Sequence, residues 1–524
     1  MTNKNKYSYI LKCSIIKEVM EMIEITKLLE KLNIKDYELY GKYMAKIDYK
    51  GEKPTGKLVL VTSINPTPYG EGKTTTSIGL VDSLNKIGVN AIASLREPSM
   101  GPVFGKKGGA VGGGKALIVP EKKINLNFTG DFHAITYANN LIAAVIDNSI
   151  YQGNELGIDR VVFNRCLDVN DRSLRHVMIN GKETSFMITT ASEMMSVVGL
   201  SETIEDLKTN LGNILVGYTK DNKEIYVKDL KLVDSLLYVL EDAFKPNLVS
   251  TLYNNPVIVH TGPFANISYG SSSIKSIKLG LSLSDYCITE AGFGSDTGAM
   301  KFLDMLCRKG NLYPDVIVLN CTVRALKYHG NGNLNEGIKN LEYHILNMSK
   351  FTSNLIISIN KFDDDTEEDI QIIKNLGDKY NLKVCLSTMY KYGEDGCLDL
   401  ANEIVKMGPN TKHYDIYDLN DDLFTKIDKI KDMFYAKEIV YSPEVKAKLD
   451  LINKNNKGLP ICVCKTPYSI SDNDKMLNFP KDYTMTITDA KVFSGAGYIV
   501  LYMGNVMTMP GLAKESNYLK DKYE

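Results

Sequence analysis

The chain of 524 residues contains no tryptophan, although it has 31 tyrosines and 15 phenylalanines. A site that stacks a flat aromatic ligand must therefore use tyrosine or phenylalanine. A large charge of either sign is also missing, because 62 basic and 63 acidic residues give a net charge of −1. The lysines are spread along the chain rather than clustered. We therefore expect no nucleic-acid partner and no membrane partner.

Long hydrophobic runs are absent too. No apolar run reaches the roughly 18 residues that a membrane-spanning helix requires. The N-terminal segment lacks both a long apolar stretch and a small-residue cleavage site. A transmembrane anchor and a secretory signal are therefore not predicted. The hydrophobic content of 44% is that of an ordinary globular protein.

Cysteine is sparse, with nine residues scattered along the chain. Only Cys462 and Cys464 lie close together, and residues two apart on a strand share one face, so this pair predicts core packing. A metal site would need a second cysteine or histidine pair nearby, and the sequence shows none. Unpaired thiols indicate a reducing compartment, so we expect a cytoplasmic protein.

The segment with the clearest chemical meaning is residues 64–77, which read I-N-P-T-P-Y-G-E-G-K-T-T-T-S. An apolar run at 58–64 precedes the segment, and apolar residues at helical spacing follow it. The order of strand, glycine loop and helix is typical of a phosphate-binding loop.

Several residues of this loop have a defined chemical use. Gly70 and Gly72 allow the backbone to turn tightly and to aim N–H groups at phosphate oxygens. Lys73 supplies a positive charge, and the Thr74 hydroxyl can ligate Mg²⁺. Thr67 stands where the strict pattern has glycine, so the segment is either a variant phosphate loop or a plain turn between strand and helix.

Further apolar segments each end in a small, polar or charged loop. Their succession predicts an α/β fold with a P-loop-type, doubly wound and mostly parallel sheet, whose loops converge near residues 64–77. The predicted strands lie at 58–64, 89–95, 256–259, 286–290, 316–319, 355–359 and 384–387.

Smaller α/β domains are expected to be inserted in this fold and to follow it. Two helical patterns near 193–200 and 204–211, then a strand–turn–strand pattern at 214–227, predict the insertion. The predicted units are 1–183 with 251–350 (nucleotide-binding), 184–250 (insertion), 351–412 and 413–524 (C-terminal).

Three other features allow more than one interpretation. The glycine-rich segment 104–115 is either a surface that approaches an anion or a flexible loop. Asp131 precedes a helical pattern and is either a helix cap or a ligand. Residues 360–363 read N-K-F-D, the spelling with which GTP-binding proteins read guanine, so a GTPase is one hypothesis.

Nine segments taken together resemble one enzyme family, the formate–tetrahydrofolate ligases. They follow the family order from about residue 38 to 512. The segments are ELYGKY (38–43), TPYGEGKTTT (67–76), LREPS (95–99), KGGAVGGG (107–114), INLNFTGDFHAIT (124–136), GPFANI (262–267), TEAGFGSD (289–296), TVRALKYHG (322–330) and MTMPGL (507–512).

The resemblance implies an ATP-dependent ligase that joins formate to N10 of tetrahydrofolate through formyl phosphate. Arg96 is placed like the family arginine that grips formyl phosphate, and Lys73, Glu97 and Asp131 would complete the catalytic group. Thr74 would ligate the Mg²⁺ of ATP. The implied ATP-binding residues are Thr67, Pro68, Gly70, Glu71, Gly72, Lys73, Thr74 and Thr75.

The resemblance also implies the folate site and the general properties of the enzyme. Phe362 matches one of two aromatic residues that sandwich the pterin, and Tyr390 occupies the place of the other, usually tryptophan. Gly112 and Gly113 would lie on the same side. The family properties are a homotetramer and stimulation by a monovalent cation (K⁺ or NH₄⁺).

Five positions depart from the family pattern, and most lie in segments assigned to folate and formate. They motivate an alternative, a weakened or silent paralogue that binds nucleotide or folate as a regulatory or partner subunit. The positions are Lys115, Asn139, Phe163, Tyr269 and Tyr390.

Overall fold

The structure of the protein is a computed structural model that describes residues 22–68, 70–105 and 111–519. The first 21 residues of the predicted nucleotide-binding unit and the last five of the C-terminal unit lie outside the described residues. The same holds for Tyr69 in the glycine loop and for 106–110 in the glycine-rich segment.

The strands alternate with helices along most of the chain. In chain order the strands are β1 Tyr37–Leu39, β2 Ala45–Ile47, β3 Lys57–Ser63, β4 Ala91–Leu95, β5 Gly112–Gly113, β6 Ala116–Val119, β7 Arg160–Val161, β8 Cys166–Leu167, β9 Val177–Ile179, β10 Lys182–Thr184, β11 Met187–Ile188, β12 Leu215–Tyr218, β13 Glu224–Tyr226, β14 Asn247–Thr251, β15 Pro256–Val259, β16 Tyr286–Glu290, β17 Val316–Cys321, β18 Leu355–Asn360, β19 Lys383–Ser387, β20 Glu438–Tyr441, β21 Ile461–Cys464, β22 Thr484–Phe493 and β23 Tyr498–Met503.

The helices include two short π-helical segments and five 3₁₀ turns among the described residues. The α-helices are Ile25–Lys31, Lys73–Lys86, Met100–Phe104, Glu121–Asn125, Asp131–Tyr151, Glu193–Leu200, Ile204–Gly212, Val233–Leu240, Ile274–Leu283, Arg308–Gly310, Val323–His329, Leu334–Phe351, Glu367–Lys379, Met389–Tyr392, Leu398–Lys406, Leu423–Phe434 and Pro443–Asn455. The π-helical segments are Ser295–Ala299 and Phe302–Cys307, and the 3₁₀ turns are Arg172–Arg175, Thr189–Ala191, Val227–Leu230, Gly393–Asp395 and Asn517–Leu519.

One large sheet dominates the fold, with the strand order β1-β2-β14-β15-β4-β16-β3-β17-β18-β19. Neighbours from β15 to β19 along this order pair in parallel, whereas β14 is antiparallel to β15. The prediction of an α/β fold with a mostly parallel sheet is thus confirmed. The parallel strands end at one edge, where their loops can share a ligand.

The central strand β3 is buried on both faces, as parallel sheets covered by helices require. Successive side chains of a strand point to opposite faces. Leu58 and Leu60 accordingly pack in one hydrophobic cluster, while Val59 and Val61 pack in another together with the helix Lys73–Lys86. Residues 58–61 are apolar without interruption for this reason.

The C-terminal region forms a four-stranded sheet with the order β20-β22-β23-β21. Its buried residues, such as Met485 and Tyr498, belong to the same hydrophobic cluster as Leu58 and Leu60 of the large sheet. The region therefore shares one hydrophobic core with the large sheet, and its strand β21 packs against the π-helical segment Phe302–Cys307.

The predicted local elements of the insertion are present. The helices Glu193–Leu200 and Ile204–Gly212 and the hairpin of β12 and β13 lie where the sequence predicts them. The last strand of this unit, β14, is part of the large sheet, and β12 also pairs with β7. The boundaries of the four units stay predictions.

Two expectations from composition concern the described residues. Cys462 and Cys464 are buried on β21 with their Sγ atoms 3.9 Å apart, which confirms the predicted core packing. In the described part of the chain, no helix combines the length and the apolar character needed to cross a membrane.

Candidate active site

The loop after β3 leads into the helix Lys73–Lys86 at the carboxyl edge of the sheet. Gly70 and Gly72 have φ angles of 82° and 75°, and Gly72 is the N-cap residue of the helix. Such angles are strained for residues with a side chain. A Cβ on Gly72 would also lie 2.4 Å from the Asn360 amide nitrogen. The helix therefore begins with backbone N–H groups that face the edge of the sheet, a geometry suited to an anion.

Glu71 secures this loop from inside the protein. Its buried carboxylate accepts hydrogen bonds from the Thr67 backbone N–H (2.7 Å) and from the Thr322 hydroxyl. The Asn320 amide donates to the Glu71 carbonyl oxygen at 2.6 Å. Glu71 thus shapes the loop through both its side chain and its carbonyl oxygen.

Lys73 is partly buried at the start of the helix, and its ammonium donates a hydrogen bond to the Ser63 hydroxyl at 2.9 Å. Burial lowers the pKa of Lys73 to about 8, although the negative charges of Glu290 and Glu71 act in the opposite direction. Among the described residues, the Lys73 ammonium is thus bonded to a neutral hydroxyl and feels the charge of Glu290 without forming an ion pair with it. Its charge is available to an anionic ligand.

Glu290, the last residue of β16, is a site residue that the sequence reasoning missed. Its carboxylate contacts the Arg96 guanidinium (3.3 Å) and accepts a hydrogen bond from the Thr74 hydroxyl (2.8 Å). Burial alone would raise the pKa of Glu290, but Arg96, Thr74 and Lys73 outweigh burial and lower it. Its position in the sequence could have identified it as a site residue, because Glu290 is the last residue of a predicted strand and this strand lies next to β3.

Arg96 follows β4 and lies across the end of β16. Besides Glu290, its guanidinium donates to the Pro263 carbonyl oxygen at 3.1 Å, and its Nε has no hydrogen-bond partner within the described residues. A Cβ on Gly292 would approach the guanidinium to 2.9 Å, so glycine is needed there. The planar fork of Arg96 is suited to a carboxylate or phosphate ligand.

Glu97 and Asp131 form a second, deeper acidic group beside Arg96. Glu97 is 4% exposed, and its Oε2 has no hydrogen-bond partner in the described part of the chain. Burial and the nearby charge of Asp131 raise the pKa of the Glu97 carboxyl, whereas Lys46 opposes this rise. The structure therefore brings together the two carboxyl groups that the sequence analysis named.

The alternative of Asp131 as a helix cap is wrong. Asp131 is the first residue of its helix, Gly130 is the N-cap, and no side chain caps this end. The Asp131 carboxylate instead forms a buried ion pair with Lys46 at 2.7 Å and accepts a hydrogen bond from the Asn247 amide at 2.7 Å. These partners fix its orientation because both come from strands or strand ends of the large sheet.

The aromatic residues assigned to folate lie after the neighbouring strands β18 and β19. Phe362 is 37% exposed and Tyr390 is 64% exposed. An ion pair between Asp363 and Lys391 (3.0 Å) joins the two loops. Arg324, another missed residue, donates to the Gly70 carbonyl oxygen at 3.1 Å and lies 4.9 Å from the Phe362 ring centre. The phosphate-loop region and the aromatic loops are thus adjacent.

The described end of the glycine-rich segment lies directly against Tyr390. A Cβ on Gly113 would lie 3.1 Å from the tyrosine ring, and one on Gly114 would lie 2.2 Å from the tyrosine carbonyl oxygen. The Lys115 backbone N–H donates to that carbonyl oxygen at 2.9 Å. Glycine here permits close packing of Gly113 and Gly114 against Tyr390, whereas Gly112 packs against Ala116 and Ile78.

Three of the positions that depart from the family pattern carry side chains that are buried or partly buried. Tyr269 is fully buried, and its hydroxyl lies 3.5 Å from the Thr261 hydroxyl. Asn139 is buried and donates to the Asn164 carbonyl oxygen at 3.1 Å. Phe163 is partly buried against the hydrophobic core. These side chains have structural partners of their own.

Oxygen donors for a metal ion are few. Among the described residues, no group of three His, Cys, Asp or Glu side chains is arranged to hold a metal. The Thr74 hydroxyl and the Glu290 carboxylate are hard oxygen donors of the kind that Mg²⁺ prefers. The residues therefore fit an Mg²⁺ ion that arrives with phosphate ligands, which is the usual mode of Mg²⁺ binding.

Comparison with known proteins gives a consistent result. The family described as formate–tetrahydrofolate ligase matches residues 12–522. A formate–tetrahydrofolate ligase of Campylobacter concisus is 46% identical over 506 residues, which covers 92% of each chain. One of Caldicellulosiruptor bescii is 44% identical over 532 aligned residues, covering 95% of this chain and 96% of the relative.

We predict that Glu290→Gln destabilises the fold strongly, because Arg96 and Lys73 would then share a buried region without their counter-charge. The expected loss is about 3 kcal/mol in the free energy of unfolding, measured by urea denaturation. Glu394→Gln is the matched control, since Glu394 pairs with Lys86 on the surface and Asp395 also pairs with Lys86. The control should lose less than about 1 kcal/mol; equal losses would contradict the role of Glu290.

Proposed function

The chain belongs to the formate–tetrahydrofolate ligase family, and from this premise we propose how its residues perform the reaction. The enzyme is an ATP-dependent ligase that joins formate to tetrahydrofolate. The observation that carries the assignment of roles is the convergence of Lys73, Arg96 and Glu290 at the ends of adjacent parallel strands. This edge is where open α/β sheets bind ligands.

In this proposal the loop 64–72 is a P-loop variant that binds the phosphates of ATP. The backbone N–H groups at the start of the helix Lys73–Lys86 and the Lys73 ammonium would hold the phosphate oxygens. The remaining loop residues named from the sequence, Thr67, Pro68, Gly70 and Thr75, would line the same phosphate site. Thr74, with Glu290 beside it, would hold the Mg²⁺ of ATP, which neutralises phosphate charge when bound.

The first chemical step would be attack of a formate oxygen on the γ-phosphorus. The bond between this phosphorus and the bridging oxygen breaks, and ADP leaves with formyl phosphate in place. Arg96 is suited to hold formate and then formyl phosphate, because its guanidinium is already oriented by Glu290 and the Pro263 carbonyl oxygen. Its charge would also stabilise the negative charge that develops on the transferred group.

The second step would be attack of the folate N10 amine on the formyl carbon, with departure of phosphate as the C–O bond breaks. Glu97 and Asp131 would position this amine and receive its proton. The Glu97 Oε2 is suited to this role, because it lacks a hydrogen-bond partner in the described structure. Lys46 and Asn247 keep Asp131 in place behind it.

The pterin ring would stack between Phe362 and Tyr390, with Gly112 and Gly113 allowing close approach. Both rings are partly exposed on neighbouring loops, as a site for a flat ligand requires. By resemblance to the family we also propose a homotetramer that K⁺ or NH₄⁺ stimulates and that works in the cytoplasm.

The comparisons give no support to the GTPase hypothesis. Asn360 packs against Gly72, and its amide lies 3.5 Å from the Glu71 carbonyl oxygen. Asp363 pairs with Lys391 on the surface. The N-K-F-D segment therefore supports the loops of the ligase site.

The direct test of the function measures 10-formyltetrahydrofolate formed from formate, ATP, Mg²⁺ and tetrahydrofolate, with and without K⁺. We expect product only when all three substrates are present, and more of it with K⁺. ATP hydrolysis measured without tetrahydrofolate would serve as the background of this assay. Bound ATP without any product would instead favour the silent paralogue.

We predict that Arg96→Ala blocks product formation but spares ATP binding. The loss in turnover should be about 100-fold or more, because the variant cannot stabilise the transferred formyl phosphate. The dissociation constant of ATP, measured by calorimetry, should change by less than about threefold. The Arg96→Lys variant keeps the positive charge but loses the planar guanidinium, so its turnover should stay low. Loss of ATP affinity in Arg96→Ala would place this residue in the nucleotide site instead.

A further inference from the structure

Asn65, near the start of the loop after β3, is held by side chains from three other elements. It is fully buried, and all four of its polar groups have partners. Its backbone N–H faces His344 Nε2 (3.1 Å), and its carbonyl oxygen faces His329 Nε2 (2.9 Å). Its Oδ1 accepts from the Asn340 amide (3.0 Å), and its Nδ2 donates to Asp296 Oδ1 (3.0 Å).

Both histidines are buried and contact Asn65 through their Nε2 atoms. Burial lowers the pKa of His344 to about 3 and also lowers the pKa of His329, so both rings are neutral near pH 7. His344 Nε2 lies 3.1 Å from the Asn65 backbone nitrogen and 3.0 Å from Asn65 Oδ1, and its Nδ1 lies 2.7 Å from the Ser295 hydroxyl. His329 donates from Nε2 to Asn65 and accepts at Nδ1 from the Asn478 N–H at 3.4 Å. The His329 ring therefore carries its proton on Nε2, and both rings hold Asn65 through this nitrogen.

The C-terminal region completes this arrangement. Lys465 and Asp296 form an ion pair at 2.6 Å in which neither side chain is exposed. The Pro467 carbonyl oxygen lies 3.4 Å from Asn65 Nδ2, and the Asn478 carbonyl oxygen accepts from the Asn340 amide at 2.8 Å. Asp296 itself lies in the π-helical segment Ser295–Ala299, an uncommon element that is frequent at functional sites.

The position of Asn65 connects this network to the nucleotide loop. Ser63, two residues before it, accepts the hydrogen bond of the Lys73 ammonium. Thr67, two residues after it, donates its N–H to Glu71. Asn65 therefore sets the path of the loop between the Ser63 and Thr67 contacts, because its backbone and its side chain are both held by hydrogen bonds.

We propose that Asn65 is a positioning residue for ATP, and that residues 465–478 of the C-terminal region hold the nucleotide loop in its binding geometry through Asp296, Asn340 and Asn65. The proposal rests on the proposed function, because it assumes that the loop 64–72 binds ATP. It predicts that a change at Asn65 alters ATP binding although the side chain does not contact the nucleotide. The folate side, which lies after β18 and β19, should be unaffected.

The test compares two asparagines of one helix, Leu334–Phe351. Asn340 and Asn347 are both fully buried and seven residues apart, but only Asn340 contacts Asn65, whereas Asn347 donates to the Met433 carbonyl oxygen at 2.9 Å. Steady-state kinetics and ATP calorimetry would be measured for Asn65→Ala, Asn340→Ala and Asn347→Ala. Thermal unfolding of each variant would report the loss of stability.

We expect Asn65→Ala and Asn340→Ala to raise the KM and the dissociation constant of ATP by about tenfold, since one or more hydrogen bonds to the loop are lost. The KM of tetrahydrofolate should change by less than about twofold. Asn347→Ala should be destabilised to a similar degree with an unchanged KM for ATP. If Asn65→Ala does not fold, Asn340→Ala carries the test alone.

Two results would overturn the proposal. One is an unchanged ATP affinity in a folded Asn340→Ala or Asn65→Ala variant. The other is an equal rise of the KM for ATP in Asn347→Ala, which would mark a general effect of lost stability. Failure of the proposed function can be told apart from both results by the wild-type enzyme in the same assay. If the proposed function were wrong, the wild type itself would form no product or bind no ATP.

Discussion

Two partly buried cations lie at one edge of the sheet, and the carboxylate of Glu290 forms an ion pair with one and acts on the charge of the other. Arg96 and Lys73 come from segments on either side of β16, and the Glu290 carboxylate at the end of that strand lies between them. Their mutual repulsion would otherwise be large in a region that excludes water. In the proposed function, anionic substrates would take over part of this role when they bind.

A second constraint acts on the other side of the nucleotide loop. Lys465 and Asp296 are buried together, and breaking such a pair leaves an uncompensated charge in the interior. The C-terminal sheet is therefore tied to the loop by charge as well as by the hydrophobic core that it shares with Leu58 and Leu60. The Asn65 side chain consequently contacts a residue about 400 positions later in the chain.

Local pattern was enough to predict the strands and the loop, but not the network around them. Apolar runs and glycines located β3, β16 and Gly72 because these signals lie within a few adjacent residues. Glu290 was overlooked because its partners, Thr74 and Arg96, come from other strand ends. Asn65 lies inside the predicted loop, yet its partners follow more than 230 residues later. The capping interpretation of Asp131 failed for the same reason, since Lys46 attracts its carboxylate from a distant strand.

The most direct test of the account follows the oxygen atoms of formate. Formate labelled with ¹⁸O in both positions would be converted with ATP and tetrahydrofolate, and the phosphate released would be analysed by mass spectrometry. Attack of formate on the γ-phosphorus followed by cleavage of the C–O bond predicts one ¹⁸O atom in each phosphate. Unlabelled phosphate alongside product would contradict the formyl phosphate route and, with it, the role assigned to Arg96.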